Sequence, residues 1–547
     1  MVMATDARRY MSENKTKYKY AAGLVFIMAI ALLLRLYGID WGLPSVTHPE
    51  YSYHPDELLT FTLAKLLILG KILDKHFIYG GTLYFTILNA DTYFGNLLSG
   101  VLGGINQLAD SILIGRYFLV FVALLTVLLI YECGSQLSND RRTGIISAFL
   151  LAIVPAHVVW AQRVRPDEIA ALFIAIILLL SLKILASRNN VNLRYFVYSG
   201  LAVGTAASLR LPLVVFALLP IMASLLNRDR AGVLGKLLSI LDRQTAILTI
   251  SIVAAFAITS PHVFLYPEHF IGGLLEQWRY QTDFFPDAVG RGPGIYQYGW
   301  SMLHQALGYG IYALAALGVV LALCKRTKAD ILLLSAVIPY FLMTTFASWV
   351  VVRYTLPMLP VLVIMAARFI DYMIGTYPGH RRVISALFLV IAVWTLTADI
   401  AYLKIEAGKD VRDVAAEWIG ENIPAGSSVL TVKTYREDYY FNPVISEKLR
   451  HPLFYLSERS DSRALFRDSR FDYLVLNEYL YKDMERLGDR HPSRQSWIFY
   501  DSLVKSRYKL IKEFKYPIKF LGIDFSSSFS SHDYTVINPG IRIYARE

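Results

Sequence analysis

Between residues 21 and 403 the chain is a succession of apolar blocks, each closed by charge, proline or glycine. Hydrocarbon offers no water to backbone N–H and C=O groups, so blocks of this length are forced into helices that satisfy their own backbone. Eleven membrane segments are expected, at about 21–36, 111–131, 145–161, 169–187, 196–208, 213–226, 244–260, 301–324, 331–348, 354–375 and 383–403. Charged residues make up only 18% of the 547 residues, against about 25% in an ordinary soluble domain. That excludes a soluble multi-domain enzyme, a disordered chain and a fibrous repeat. The pair 196–208 and 213–226 is interrupted by Arg210 and Pro212, as expected of short helices that line a cavity.

Orientation follows from the basic residues of short loops. A cytoplasmic N-terminus places Arg141, Arg142, Arg188, Arg194, Arg228, Arg230, Lys236, Arg243, Lys325, Arg326, Lys328, Arg381 and Arg382 inside. The outer face then receives a long loop at 37–110, a short one at 162–168, a long one at 261–300, a short one near 349–353, and the C-terminal part. The first apolar stretch follows Arg8, Arg9, Lys15, Lys17 and Lys19 without a small-residue cleavage site after it, and reads as an uncleaved span. Counting 81–104 as a span would invert every later loop. It is therefore expected to lie at the membrane interface through Tyr84, Phe85, Tyr93 and Phe94. The net charge of +11 suits inner loops and anionic lipid headgroups, and no nucleic acid is expected as a partner. Cys133 and Cys324 both fall on the cytoplasmic side, where thiols stay reduced.

After about residue 404 the composition becomes that of a soluble domain. The chain divides into a membrane domain, 1–403, with its outer loops 37–110 and 261–300, and a small extracytoplasmic α/β domain, 404–547. Asp410–Asn422 has the spacing of an amphipathic helix, and "SVLTV", "FDYLVLN" and "YTVINPGIRIYA" read as strands.

Two short sequences stand out in the outer loops. His54-Pro55-Asp56-Glu57 sets two carboxylates beside a turn-fixing proline at a helix start. Such an aspartate either caps the helix or accepts a proton from an attacking hydroxyl or ligates a divalent metal. Arg163-Val164-Arg165-Pro166-Asp167-Glu168 repeats the Pro-Asp-Glu triplet in the second loop, now behind two arginines. Lys71, Lys75, Arg163, Arg165, Arg210, Arg279, Arg291 and Arg353 form an outward-facing set of cations near the membrane. Arg163, Arg165, Arg210 and Arg353 sit at span ends, against the charge bias, and a cation at that depth needs a partner. Guanidinium suits phosphate because its planar fork binds two oxygens at once, although any single one could serve by reaching the headgroups. Arg353-Tyr354 opens a proline-kinked span, and His262 follows Ser260-Pro261, where hydrogen bonding is the ordinary role.

The succession Arg35-Leu36-Tyr37-Gly38, the HPDE loop, "GKILDKHFIYGGTLYF", a second loop ending Arg-Pro-Asp-Glu, "GLAVGTAASLRLPLVVF", "SPHVFLYPEHF", "RYTLPMLPVLVIMAA" and "AEWIGENIPAGSSVL" resembles one family. It is that of the lipid-carrier-dependent glycosyltransferases of the GT-C fold, close to the protein O-mannosyltransferase and aminoarabinose transferase group. The resemblance implies a polytopic α-helical membrane protein of about eleven spans that moves a sugar from a polyprenyl-phosphate donor to a hydroxyl acceptor, inverting the anomeric carbon. It implies Asp56 as general base, Glu57 as the second carboxylate of that motif, and Asp167 as the acidic residue that positions the acceptor or Asp56. The lipid phosphate falls to Arg165, Arg210 and Arg353, with Arg163, Lys71 and His262 behind them and His54 and Tyr354 alongside. The chain departs from the family at Ser208-Leu209-Arg210, where relatives often carry a basic residue in a "TK"-like pair, and Arg210 stands in for it. The lack of a long luminal insert fits a prokaryotic member of the cytoplasmic (inner) membrane. The motifs neither require nor exclude a divalent metal such as Mg or Mn. A polymerase or ligase of whole lipid-linked glycans is the nearest alternative. A transporter or lipid flippase, the other alternative, would need charges near the membrane midplane and often an inverted repeat, whereas the unusual charges here cluster at one face.

Overall fold

The apolar blocks fold as the backbone argument requires: the computed structural model has helix in each of the eleven segments. It describes residues 2–57, 60–61, 64, 82–90, 93, 107–187, 192–227, 242–282, 292–347, 350–433, 442–450, 453–455, 471–491, 497–504 and 507–547. Among these, five stretches are long and apolar enough to cross a membrane, namely Tyr18–Leu36, Gln107–Ser138, Asp167–Ala186, Val352–Thr376 and Pro378–Asn422. Leu211–Leu226, Arg243–Thr259 and Tyr309–Lys325 are shorter apolar helices. Arg210 is where one helix stops: it is extended (φ −151°), and Pro212 restarts the chain as a tight turn over Leu211–Ala217. Gly204 allows the helices Leu193–Leu209 and Arg243–Thr259 to touch, since a Cβ there would lie 2.3 Å from the Ile252 carbonyl oxygen.

Helix ends decide where chemistry can sit. The first helix stops at Leu36, and Arg116, near the start of Gln107–Ser138, donates to the carbonyls of Ile39 and Trp41 at 2.6 and 2.8 Å. The two helices flanking the first long loop therefore meet at one end of the bundle. Of the stretch 81–104, expected at the membrane interface, only 82–90 and 93 are among the described residues, and their aromatic rings do not share one setting. Tyr84 and Phe85 are buried among Phe61, Ile112, Leu119 and Leu209, while Tyr93 is exposed and Phe94 lies outside the described residues. Packing against helices buries those rings more completely than headgroups would.

Past the helix Arg381–Glu406 comes the helix Val411–Asn422, capped by the Asp410 side chain on the Arg412 N–H. A five-stranded sheet follows, built from β1 (Val429–Lys433), β2 (Leu453–Tyr455), β3 (Tyr473–Asn477), β4 (Tyr508–Phe514) and, after the two-stranded pair β5 (Lys519–Phe520) and β6 (Ile523–Asp524), β7 (Ile541–Arg546). Its order is β2-β1-β3-β7-β4, with β1 parallel to β2 and β3, and β7 antiparallel to β3 and β4. The two-residue period sorts its side chains. Val429, Val475, Ile541 and Ile543 pack on Ala415 and Ile419 of the helix Val411–Asn422. Leu430, Leu474, Leu476 and Tyr544 pack on Leu480, Tyr481 and Met484 of the helix Glu478–Leu487. The segment "YTVINPGIRIYA" is not one strand. His532–Thr535 forms a helical turn, and Pro539-Gly540 breaks the chain before β7 begins at Ile541.

The sheet region is seated on the membrane helices. Phe525, Phe529, Tyr534, Val536 and Ile537 share one buried cluster with Tyr402, Leu403 and Trp160. Gln305 accepts the N–H groups of Ser530 and Ser531 at 3.0 and 2.8 Å. Trp41 donates its indole N–H to Asp410 at 3.0 Å, and Tyr53 donates to Asp413 at 2.5 Å.

Candidate active site

The two acidic motifs, 111 residues apart, are joined by one carboxylate. Glu57 receives a bidentate grip from Arg116, Nε to Oε1 at 3.0 Å and Nη2 to Oε2 at 2.7 Å. The Ser52 hydroxyl donates to it at 2.7 Å and the Val164 N–H at 3.1 Å. Both ion-pair side chains are wholly buried. Burial by itself pushes the Glu57 carboxyl up, but the Arg116 guanidinium outweighs it and holds the group below the ordinary glutamate range. Glu57 thus ties the HPDE loop to the turn that carries Arg163, Val164 and Arg165. The second carboxylate expected of the motif is directed into this framework.

That tie leaves Asp56 beside Arg165. Their side chains form an ion pair, and Arg165 Nε also donates to Asp167 Oδ2 at 3.1 Å. The other oxygen of Asp167 meets Arg210 Nη2 at 2.9 Å. The result is an alternating chain, Asp56–Arg165–Asp167–Arg210, assembled from a loop, a turn, a helix start and a helix end. Asp56 is its accessible end: its side chain is 29% exposed, against 1% for Asp167. Burial raises the Asp56 carboxyl, yet Arg165, Arg353 and Arg210 overcome that and keep it well below the usual carboxylate range. Tyr354 lies under two cations, 5.3 Å from the Arg210 guanidinium and 5.8 Å from that of Arg353. His54 is buried and meets Trp160 edge-on at 6.1 Å. Burial, with Arg165 and Arg163, outweighs the pull of Asp56 and Glu57 and lowers its imidazole to about 3, so it is neutral at ordinary pH.

The other expected residues differ in place and in partner. Arg163 does not face a ligand. It is buried, pairs with Glu406 at 2.5 Å and lies 4.6 Å over the Trp41 ring, so its charge is spent on the end of the last long helix. Arg353 is engaged by a residue far along the chain: its Nη1 meets Asp533 Oδ1 at 2.5 Å and its backbone N–H donates to Asp533 Oδ2 at 3.1 Å. His262 opens the short helix His262–Leu265 and stacks on Tyr266, with ring centroids 6.4 Å apart. Lys71 lies outside the described residues. Arg116 escaped the motif reading, although a lone arginine inside an apolar helix is itself a signal of a buried partner. Among the described residues no three His, Cys, Asp or Glu side chains converge as metal ligands. Asp56 and Asp167 have Arg165 between them, so a divalent cation would have to displace a guanidinium, and this donor set does not fit one.

Residues 102–264 match the family model described as dolichyl-phosphate-mannose-protein mannosyltransferase. No curated protein matches the chain in sequence. Among solved structures, the oligosaccharyltransferase of Archaeoglobus fulgidus in complex with zinc and sulfate superposes with a TM-score of 0.53 at 14% identity, covering 90% of this chain and 72% of that one. The ArnT protein of Cupriavidus metallidurans bound to undecaprenyl phosphate superposes with a TM-score of 0.50 at 14% identity, covering 95% of this chain and 97% of its own. The chain is thus a multi-pass membrane protein with the GT-C fold, similar to the lipid-carrier-dependent glycosyltransferases of the protein mannosyltransferase and aminoarabinose transferase group.

Proposed function

We propose that this protein is an inverting glycosyltransferase that moves a sugar from a polyprenyl-phosphate donor to a hydroxyl on a lipid, glycan or protein, with Asp56 as general base. The observation that carries this reading is the chain Asp56–Arg165–Asp167–Arg210, with its one accessible carboxylate beside guanidinium groups. The acceptor oxygen forms a bond to the anomeric carbon from the face opposite the phosphate. As it does so, the bond from that carbon to the phosphate oxygen breaks, the electron pair leaves on the polyprenyl phosphate, and the hydroxyl proton passes to Asp56. Negative charge grows on the departing phosphate, and Arg165, Arg210 and Arg353 answer it more strongly in the transition state than before it. Asp167 positions Arg165 and Arg210, Tyr354 supports Arg210 and Arg353 from beneath, and His54 serves as a neutral wall. Glu57 and Arg163 act as framework.

The electrostatics add a sequence of events. Paired with Arg165, Asp56 is a weak base. A donor phosphate that draws Arg165 toward itself removes that counter-charge, so the carboxylate becomes a better proton acceptor once the donor is bound. The basic residues between the other helix ends, Arg141, Arg142, Arg326, Arg381 and Arg382 among them, support a cytoplasmic placement of that side of the bundle and an outward-facing site in the inner membrane. The change of composition at about residue 403 supports reading 404–547 as an extracytoplasmic domain, which reaches the site through Asp533 on Arg353.

The test is transfer by purified protein from polyprenyl-phosphate hexose and pentose donors. Asp56→Asn keeps the shape of the side chain and one acceptor oxygen for Arg165 but removes the base, and transfer should drop by about 10²–10⁴-fold with the protein still expressed and folded. An Asp56→Asn protein with full transfer activity overturns the reading. Activity only with pyrophosphate-linked oligosaccharide donors would replace it with a glycan ligase.

A further inference from the structure

Three guanidiniums and three carboxylates meet at this end of the bundle. Arg165, Arg210 and Arg353 are balanced by Asp56, Asp167 and Asp533, so the assembly carries no net charge. A phosphate monoanion in so buried a place needs a cationic partner, and each guanidinium here already holds a carboxylate, so one carboxylate has to give up its partner. Asp167 is held by two arginines at the first turn of its helix, and Asp56 is wanted beside the reacting carbon. Asp533 is different. One of its oxygens takes the Arg353 guanidinium and the other takes the Arg353 backbone N–H. The guanidinium can therefore leave while the carboxylate keeps a donor. The surrounding turn stays seated through Gln305 on Ser530 and Ser531, and through Tyr479, which donates to the His532 carbonyl at 2.9 Å. Arg353 also has rings to move across, Trp160 at 6.0 Å and Tyr354 at 5.8 Å from its guanidinium.

We propose that Asp533 is a positioning residue that stands in for the lipid phosphate, holding the Arg353 guanidinium until a polyprenyl phosphate takes it over. The inference rests on the glycosyltransferase reading and adds a determinant of donor affinity from the far end of the chain. Because the stand-in competes with the ligand, it lowers affinity for polyprenyl phosphate and speeds its release after transfer.

The probe is polyprenyl monophosphate binding to the full-length protein in detergent. Asp533→Asn keeps an oxygen for the Arg353 N–H and removes the competing charge. It should bind polyprenyl phosphate at least about fivefold more tightly, at the lower edge of ordinary coupling between interacting groups. A merely structural role would weaken binding. Equal or weaker binding by a folded Asp533→Asn protein overturns the inference and leaves the glycosyltransferase reading intact. Failure of the unaltered protein to bind polyprenyl phosphate at all overturns that reading. If Asp533→Asn does not fold, Asp533→Ser, which keeps a hydroxyl oxygen as acceptor and removes the charge, takes its place in the binding assay. Tighter binding than the unaltered protein supports competition between Asp533 and the phosphate, and equal or weaker binding refutes it.

Discussion

Replacing Glu57 by glutamine separates a framework carboxylate from a catalytic one. In the protein its two oxygens take both arms of Arg116 at 3.0 and 2.7 Å, together with the Ser52 hydroxyl and the Val164 N–H. Glu57→Gln preserves size but deletes the negative charge. It also turns one acceptor oxygen into a donor that faces a guanidinium or an N–H. Arg116 stays buried with no carboxylate bonded to it, holding the carbonyls of Ile39 and Trp41 and one amide oxygen. Removing one partner of a fully buried pair costs about 3–5 kcal/mol, because the survivor is left uncompensated. The loss should appear in denaturation and in proteolysis of the folded protein, with Asp56 displaced and transfer falling as a consequence. Arg116→Met together with Glu57→Gln removes the stranded charge. The double variant should therefore be less destabilised than the sum of the singles, by about 0.5–3 kcal/mol. A Glu57→Gln protein of undiminished stability whose transfer rate alone collapses would refute the framework role and return Glu57 to the chemistry.

Two further expectations follow from the same geometry. The imidazole of His54 sits at about 3 in the folded protein against an ordinary 6.5, so the unfolded chain takes up a proton first as pH falls. Stability tied to this residue is complete above pH 6.5 and is lost between there and about 3; His54→Asn should flatten that part of the denaturation profile, and an unchanged slope would contradict the neutral assignment. In the bundle, Gly204→Leu forces apart helices whose backbones nearly touch, since even a Cβ there meets the Ile252 carbonyl oxygen at 2.3 Å. Overpacking of this kind costs about 1–3 kcal/mol or more, seen as a lower unfolding midpoint, while a side chain added at Gly272, with nothing within 4 Å, should be silent.

What could be read from the residues is what local pattern determines. Apolar runs located the helices because backbone satisfaction in hydrocarbon allows little else. The HPDE and RPDE motifs pointed to Asp56, Arg165 and Asp167, and the oddity of an arginine in the gap before Pro212 pointed to Arg210; the structure brings these four into contact. The contacts that could not be read share a cause. Arg163 and Arg353 take their partners from Glu406 and Asp533, 243 and 180 residues away, and no spacing rule reaches that far. Glu57 looked like a twin of Asp56 because neighbouring residues at a helix start have similar sequence surroundings and opposite directions. The stretch around Tyr534 has strand-forming residues but folds as a turn. Its backbone is claimed by Gln305 and Tyr402 of the membrane helices, and tertiary contacts override a weak local preference.

One small feature has a large effect on how such a molecule comes into being. Gly38, in the left-handed backbone region at φ +81°, lies so close to the end of the last long helix that an added Cβ would sit 2.9 Å from the Glu406 Cβ. Trp41 and Tyr53 lean on Asp410 and Asp413 just beyond. The floor beneath the first motif is therefore manufactured last. A nascent chain that has emerged only as far as its tenth apolar block has every acidic and basic motif up to Arg353 but nowhere to set the first of them down. The loop that carries Asp56 gains this support only after the chain has been made as far as Asp413.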